Sequence, residues 1–233
     1  MKLFMDESGN GNPSQPLIVG AVELGDDADE TEEKILDLYE RLFARNSLAG
    51  FLSFEEFRKK GFHASNDPLE VSGPFLELIR DTFFRAYIVV TDRTGVPGDT
   101  ESKRIEFMYV KLLSDILIRH RREPEILCYI EQSEDMASII RRLPDSVVRQ
   151  ACKKIGKAAP LPKLNIAMVA KRDYMSTAVV DYVMAAVSRW ILADRTTNPG
   201  HRPYRAFREI EPFISMLYSF EHGSISSRRD PLH

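Results

Sequence analysis

Cysteine is nearly absent from this chain: Cys128 and Cys152 are the only two, and their separation fits neither a metal-ligand pair nor a redox motif. That excludes a disulfide-stapled secreted framework and leads us to expect two reduced thiols in a cytoplasmic protein. Long hydrophobic runs are missing as well. Stretches such as Ala86-Tyr87-Ile88-Val89-Val90 are strand-sized, far below the roughly 20 residues needed to cross a bilayer, so no membrane association is expected. The first residues show no apolar h-region followed by a small-residue cleavage site, which again points to the cytoplasm. No P-loop and no GxGxxG is present, and Ser8-Gly9-Asn10-Gly11 matches no phosphate-cradling loop. Internal repeats and low-complexity tracts are also lacking.

What the chain does have is enough apolar material for one full core: 233 residues, 43% of them hydrophobic. A single domain spanning 1–233 is expected. The net charge of −3 does not suggest a generic nucleic-acid binder, but the charges are unevenly placed. Residues 21–43 hold nine acids against Lys34 and Arg41, whereas residues 119–172 hold twelve Lys and Arg against six acids. Such asymmetry suits a basic face for a polyanion beside an acidic centre, and solvated helix faces produce it equally.

Periodicity predicts strands at 2–6 and about 16–24, joined as a β-hairpin. Ile35, Leu38, Tyr39, Leu42 and Phe43 at helical spacing predict a helix over 29–45. Short helices or irregular chain over 46–68 and a helix over 69–81 complete a helical insertion at about 25–80. Further along come a strand at 84–92, a helix at 101–121 and a strand at 125–131. Helical segments follow at 134–157, broken at Pro144, then a strand at 163–169, a helix at 174–193 and a C-terminal helix at about 203–221. Strands alternating with helices after an initial hairpin predict an α/β protein with a mixed sheet.

The chemistry-bearing residues are carboxylates in apolar company. Asp6 closes the first strand, and a carboxylate there is costly to bury unless it is paired or meets a metal. Glu7 follows it, and strand alternation sends the two to opposite faces, so at most one of them points into a site on a given face. Glu131 ends the fourth strand as Asp6 ends the first, where the loops of an α/β sheet converge on a crevice; a simple polar strand end is the alternative. Asp181 lies inside Thr177-Ala178-Val179-Val180-Asp181-Tyr182-Val183-Met184, a helix apolar on most sides, so it needs a basic partner or a metal. Hard cations such as Mg²⁺ and Mn²⁺ want oxygen ligands, and two-metal phosphodiester chemistry needs several carboxylates around ions roughly 4 Å apart. His63 is either a general acid or base near the site or a structural histidine. Lys171 and Arg172 are placed either to meet a phosphate or as ordinary surface cations. Glu7 and Glu134 are reserve ligands.

Phe4-Met5-Asp6-Glu7-Ser8-Gly9, Phe62-His63-Ala64 with Asp67, Tyr129-Ile130-Glu131-Gln132-Ser133, Val180-Asp181-Tyr182 with Ala186 and Arg189, and Arg202-Pro203-Tyr204 together resemble the DUF3800 family over nearly the whole chain. The resemblance implies a ribonuclease H-like fold: an N-terminal β-hairpin at a sheet edge, a central mixed sheet and flanking helices. It implies metal ligands at Asp6, Glu131 and Asp181. The chain departs from the family in carrying Glu131 where Asp is frequent, Ala178 in a Gln position and Ala185-Ala186 for a Trp-Ala pair.

The resulting expectation is a nuclease or related phosphodiester-hydrolysing enzyme using Mg²⁺ or Mn²⁺. Asp6, Glu131 and Asp181 hold the metal with Glu7 in reserve, His63 and Lys171 assist, and nucleic acid is the partner. The main alternative is a non-catalytic binding or regulatory module on the same fold, as in a mobile-element or phage-defence system, with Asp6 and Asp181 each paired to Arg or Lys. A hydrolase of small phosphate esters is a third.

Overall fold

The computed structural model describes residues 1–25, 27–156 and 159–232, without the side chains of Glu134 and Asp135. Strand β1 (Lys2–Ser8) pairs antiparallel with β2 (Leu17–Leu24), Lys2 opposite Leu24 and Asp6 opposite Gly20. The turn between them needs glycine: Gly9 has φ +87°, and a Cβ there would lie 2.2 Å from the carbonyl oxygen of Pro16. Arg93 fastens the same turn by donating to the carbonyls of Gly9, Asn12 and Gln15.

Three helices, α1 (Ala28–Phe43), α2 (Leu52–Lys60) and α3 (Leu69–Arg80), fill the connection to β3 (Phe84–Thr91). There follow α4 (Glu101–Arg119), β4 (Glu125–Glu131), α5 (Glu134–Ile139), α6 (Leu143–Ile155) and β5 (Lys163–Val169). Helices α7 (Thr177–Leu192) and α8 (Arg202–Ile210) precede strands β6 (Ile214–Ser219) and β7 (Gly223–Ser227). Pro144 occupies the first turn of α6, where its missing N–H costs nothing, so it starts that helix rather than interrupting one.

One seven-stranded sheet runs β5-β4-β1-β2-β3-β6-β7. β2 and β7 oppose their neighbours, while β1, β3, β4, β5 and β6 point the same way. The first five strands, in the order β3-β2-β1-β4-β5 with β2 alone reversed, have the ribonuclease H-like arrangement. Two expectations are corrected. The hairpin lies at the centre of the sheet, because β4 pairs with β1 and β3 with β2, covering both of its edges. The expected helix over 203–221 ends at Ile210. Pro212 follows in a 3-10 turn, and the apolar segment Ile214–Ser219 joins β3 as a strand.

Each sheet face carries its own core. Phe4, Ile18, Val22 and Ile88 pack with α1, α3, α7 and α8 on one face, and Leu3, Met5, Val19 and Val89 with α4, α5 and α6 on the other. Burying each such large side chain contributes roughly 1.5–3 kcal/mol. Among the described residues no helix is long and apolar enough to cross a membrane. Cys128 and Cys152 are both free thiols, and burial pushes the Cys128 thiol up.

Candidate functional site

Because β1, β4 and β5 are parallel neighbours, their C-terminal ends meet at one edge of the sheet. Alternation then decides which side chains meet there. Phe4 and Tyr129 stack on the α7 face with ring centroids 5.5 Å apart, and Asp6 and Glu131, each two residues further on, share that face. Glu131 pairs with Val169, the last residue of β5, and two residues later the chain delivers Lys171.

Helix α7 closes over this edge. Its approach is set by the sheet: a Cβ on Gly20, the residue opposite Asp6, would lie 2.8 Å from Met184 and Val180 atoms. At this point it is the strand that supplies the small residue. The N-terminus of α7 is held by Glu32 of α1, whose carboxylate accepts the backbone N–H groups of Met175 and Ser176 at 2.7 and 2.8 Å. So positioned, α7 buries Asp181 to 8% exposure.

Asp181 Oδ2 accepts the backbone N–H of Ala64 at 3.1 Å and lies 3.3 Å from His63 Nδ1 and 3.5 Å from Lys171 Nζ. The loop carrying His63 is tied to α7 twice more: Tyr182 donates to Asp67 Oδ2 at 2.6 Å, and Arg189 to the Ala64 carbonyl at 3.0 Å. The short motifs at 62–67 and 180–189 are thus one hydrogen-bonded unit. Asp67 and Tyr182, absent from the candidates read in the sequence, are what joins them, and burial pushes the Asp67 carboxyl up to about 6.

Lys171 Nζ lies 3.0 Å from Glu131 Oε2, in an ion pair whose geometry leaves that buried oxygen without a hydrogen bond. Asp6 accepts only its neighbour's backbone N–H, Glu7 to Oδ1 at 2.8 Å, among the described contacts. Burial, then the charges of Glu131 and Asp181, holds the Asp6 carboxyl well above the usual carboxylate range despite the opposing pull of Lys171. Burial acting alone would lower the Lys171 ammonium, but Asp181, Asp6 and Glu131 outweigh it and hold the group above its ordinary value.

Asp6, Glu131, Asp181, His63 and Lys171 are thus brought together. The others are not. Glu7 turns to the opposite face, where Tyr109 donates to Oε2 at 2.8 Å and Ser133 to Oε1 at 2.5 Å. Arg172 donates to the carbonyl of Arg58 at 2.8 Å, closing the end of α2. The side chain of Glu134 lies outside those described. A cavity of about 360 Å³ opens over the cluster, lined by Lys60, His63, Glu131, Gln132, Lys171 and Arg172. Several cations of the basic stretch are engaged elsewhere: Arg142 grips Glu106 at 2.7–2.8 Å, and Lys154 meets Asp115 at 2.5 Å.

Among the described residues no group of three His, Cys, Asp or Glu side chains stands ready around one point as metal ligands. The donor chemistry nevertheless fits a hard divalent cation. Three carboxylates face one ammonium, and burial together with the charges of Glu131 and Asp181 disfavours ionisation of Asp6.

No family model matches the chain, and no curated protein does. Among solved structures, a chain of the PCNA:RNase HII complex from Archaeoglobus fulgidus is similar at 15% identity, with 90% of this chain and 86% of that one covered and a TM-score of 0.45. The ribonuclease H2 from Pyrococcus horikoshii OT3 is similar at 10% identity, with 91% and 88% covered and a TM-score of 0.40. The fold assignment rests on the strand order and directions given above.

Proposed function

We propose that the chain is a Mg²⁺- or Mn²⁺-dependent phosphodiester hydrolase, a nuclease acting on nucleic acid, with Asp6, Glu131 and Asp181 as metal ligands. The observation that carries this reading is the excess of converging carboxylates over donors at the C-terminal edge of three parallel strands. When bound there, a divalent cation supplies a polarised phosphoryl oxygen and an acidified water. The chain's own residues do the rest. Lys171 moves off Glu131 and Asp181 to meet a phosphate oxygen, and Lys60 and Arg172 at the cavity rim attract the substrate anion. His63, 37% exposed beside Asp181, is placed to shuttle a proton between the cleft and solvent. Glu7 is a positioning residue: bonded to Tyr109 and Ser133, it ties β1 to α4 and to the start of α5.

A second reading follows from Lys171. Its ammonium already pairs with Glu131 and Asp181, as expected of a non-catalytic module that keeps the acids as internal ion pairs. Incubation with labelled single- and double-stranded DNA and RNA in Mn²⁺, with Asp181→Asn as control, separates the two. Cleavage lost in the variant supports the hydrolase. A folded wild-type chain that cleaves none of the four leaves the binding module.

A further inference from the structure

At the opposite edge of the sheet, strand β6 carries a bulge. Ala86 of β3 pairs with Ile214 and Tyr87 with Met216, so Ser215 has no partner on β3. Ser215 is 1% exposed and its hydroxyl makes no hydrogen bond, while its carbonyl accepts Arg119 Nη1 at 3.3 Å. A buried hydroxyl without a partner costs free energy and calls for an explanation. Ser215 lines a cavity of about 420 Å³ whose remaining walls are Arg119, Ser227, Arg228 and Arg229.

No carboxylate lines this cavity, and none of the three arginines forms an ion pair among the described residues. Two are held by aromatic faces: Arg119 Cζ lies 5.4 Å from the centroid of Tyr87, and Arg228 Cζ 5.9 Å from that of Phe83. Contact with the ring faces restrains these guanidiniums and leaves N–H groups beyond the Arg119–Ser215 bond free to donate. Glu23 pairs with Arg85 and Glu211 with Arg208, while Asp230, next in sequence to Arg229, is exposed and is not among the lining residues.

From this we infer that the Arg119–Arg228–Arg229 cavity binds the terminal phosphate of a small phosphorylated molecule, with the Ser215 hydroxyl as its innermost donor. Three unpaired guanidiniums match a doubly charged, multi-oxygen anion. A terminal phosphate, carrying one ester link, can approach the cavity wall at Ser215. A phosphodiester within a strand has one charge and two ester links, which keep it at the rim. The site lies across the sheet from the carboxylate cluster and does not depend on what that cluster does.

The test is calorimetric titration of the full chain with inorganic phosphate and with pyrophosphate at low salt, repeated with a single-stranded oligonucleotide. Saturable pyrophosphate binding is expected, weakened roughly ten- to a hundredfold in Arg229→Gln. Ser215→Ala is expected to weaken it several-fold while its thermal midpoint stays level or rises, because an unsatisfied buried hydroxyl has been removed. Arg229→Gln is the primary variant, since Arg119 also supports the bulge and its loss could unfold the edge. No saturable binding of either anion by the folded chain overturns the proposal, as does binding unchanged in both variants. Binding of the oligonucleotide alone, reduced by Arg229→Gln, also overturns it and assigns the arginines to a nucleic-acid backbone.

Discussion

Asp6 and Glu23 are both carboxylates set among apolar strand residues on adjacent strands of one sheet, and their surroundings are opposite. Glu23 is supplied with donors: Arg85 Nη1 at 3.1 Å and the Tyr87 hydroxyl at 3.0 Å, with His120 Nε2 2.9 Å from that hydroxyl. Burial, against the opposing pull of Glu23, keeps His120 below its ordinary value. Asp6 instead shares its surroundings with Glu131 and Asp181, and a single ammonium serves all three. A carboxylate with enough donors is a finished structural element. A group of carboxylates short of donors is a place where positive charge is still wanted, and that difference, rather than burial, separates a site from a core ion pair.

The largest effects should come from breaking each side of this comparison. Glu23→Ala removes one partner of a buried network and should lower stability by about 3 kcal/mol, read by urea unfolding. Asp6→Asn removes a repelled charge and should leave stability level or higher, while metal affinity falls by roughly a hundredfold or more, beyond what loss of an outer contact costs. Lys171→Ala leaves the carboxylates without their cation. It should destabilise the chain by about 3 kcal/mol at neutral pH, with Mn²⁺ at a hundred times its dissociation constant restoring about 2.7 kcal/mol. Failure of the metal to rescue this variant while it still protects the wild type would place the binding site elsewhere.

The pH dependence sharpens the same contrast. The folded Asp67 carboxyl titrates at about 6, above its unfolded value of 3.8, and Asp6 is shifted the same way. Between these values the native state holds more protons than the unfolded one, so stability falls as pH rises. The stabilisation is fully present below about pH 3.8 and lost as pH passes about 6, with Asp67 contributing at most about 3 kcal/mol. Unfolding at pH 4.5 and pH 7 should show this slope, and Asp67→Asn should flatten it. Smallest of all, Gly20→Ala presses on Met184 and Val180 and should cost about 1–2 kcal/mol. Because it lifts α7, it should also weaken metal binding, which the same change in an open turn such as Gly50 should not.

Much of this was legible because period-two alternation is a strong signal. The strands expected at 84–92, 125–131 and 163–169 from apolar runs bounded by charge lie at Phe84–Thr91, Glu125–Glu131 and Lys163–Val169, and alternation alone separates Asp6 from Glu7. Hairpin placement was not legible, since pairing partners of β1 and β2 come from chain segments 60 or more residues away. Ile214–Ser219 reads as a helix continuation because its apolar spacing is compatible with both periods, and only pairing with β3 decides. Asp181 stood out as a charge inside an apolar helix. Glu23 meets the same description in its strand, and the two are not separable in the sequence, which shows burial pressure but not donor supply. Gly20 could have been found as the one glycine in Leu17–Leu24, a mark of close backbone approach.

The most direct test of the central claim is Mn²⁺ titration calorimetry on three folded chains: wild type, Asp6→Asn and Glu23→Gln. Binding by wild type and by Glu23→Gln is expected, and its loss in Asp6→Asn. Equal binding by all three, or none by the wild type, would show that the carboxylates around Asp6 are a structural ion-pair network like the one around Glu23.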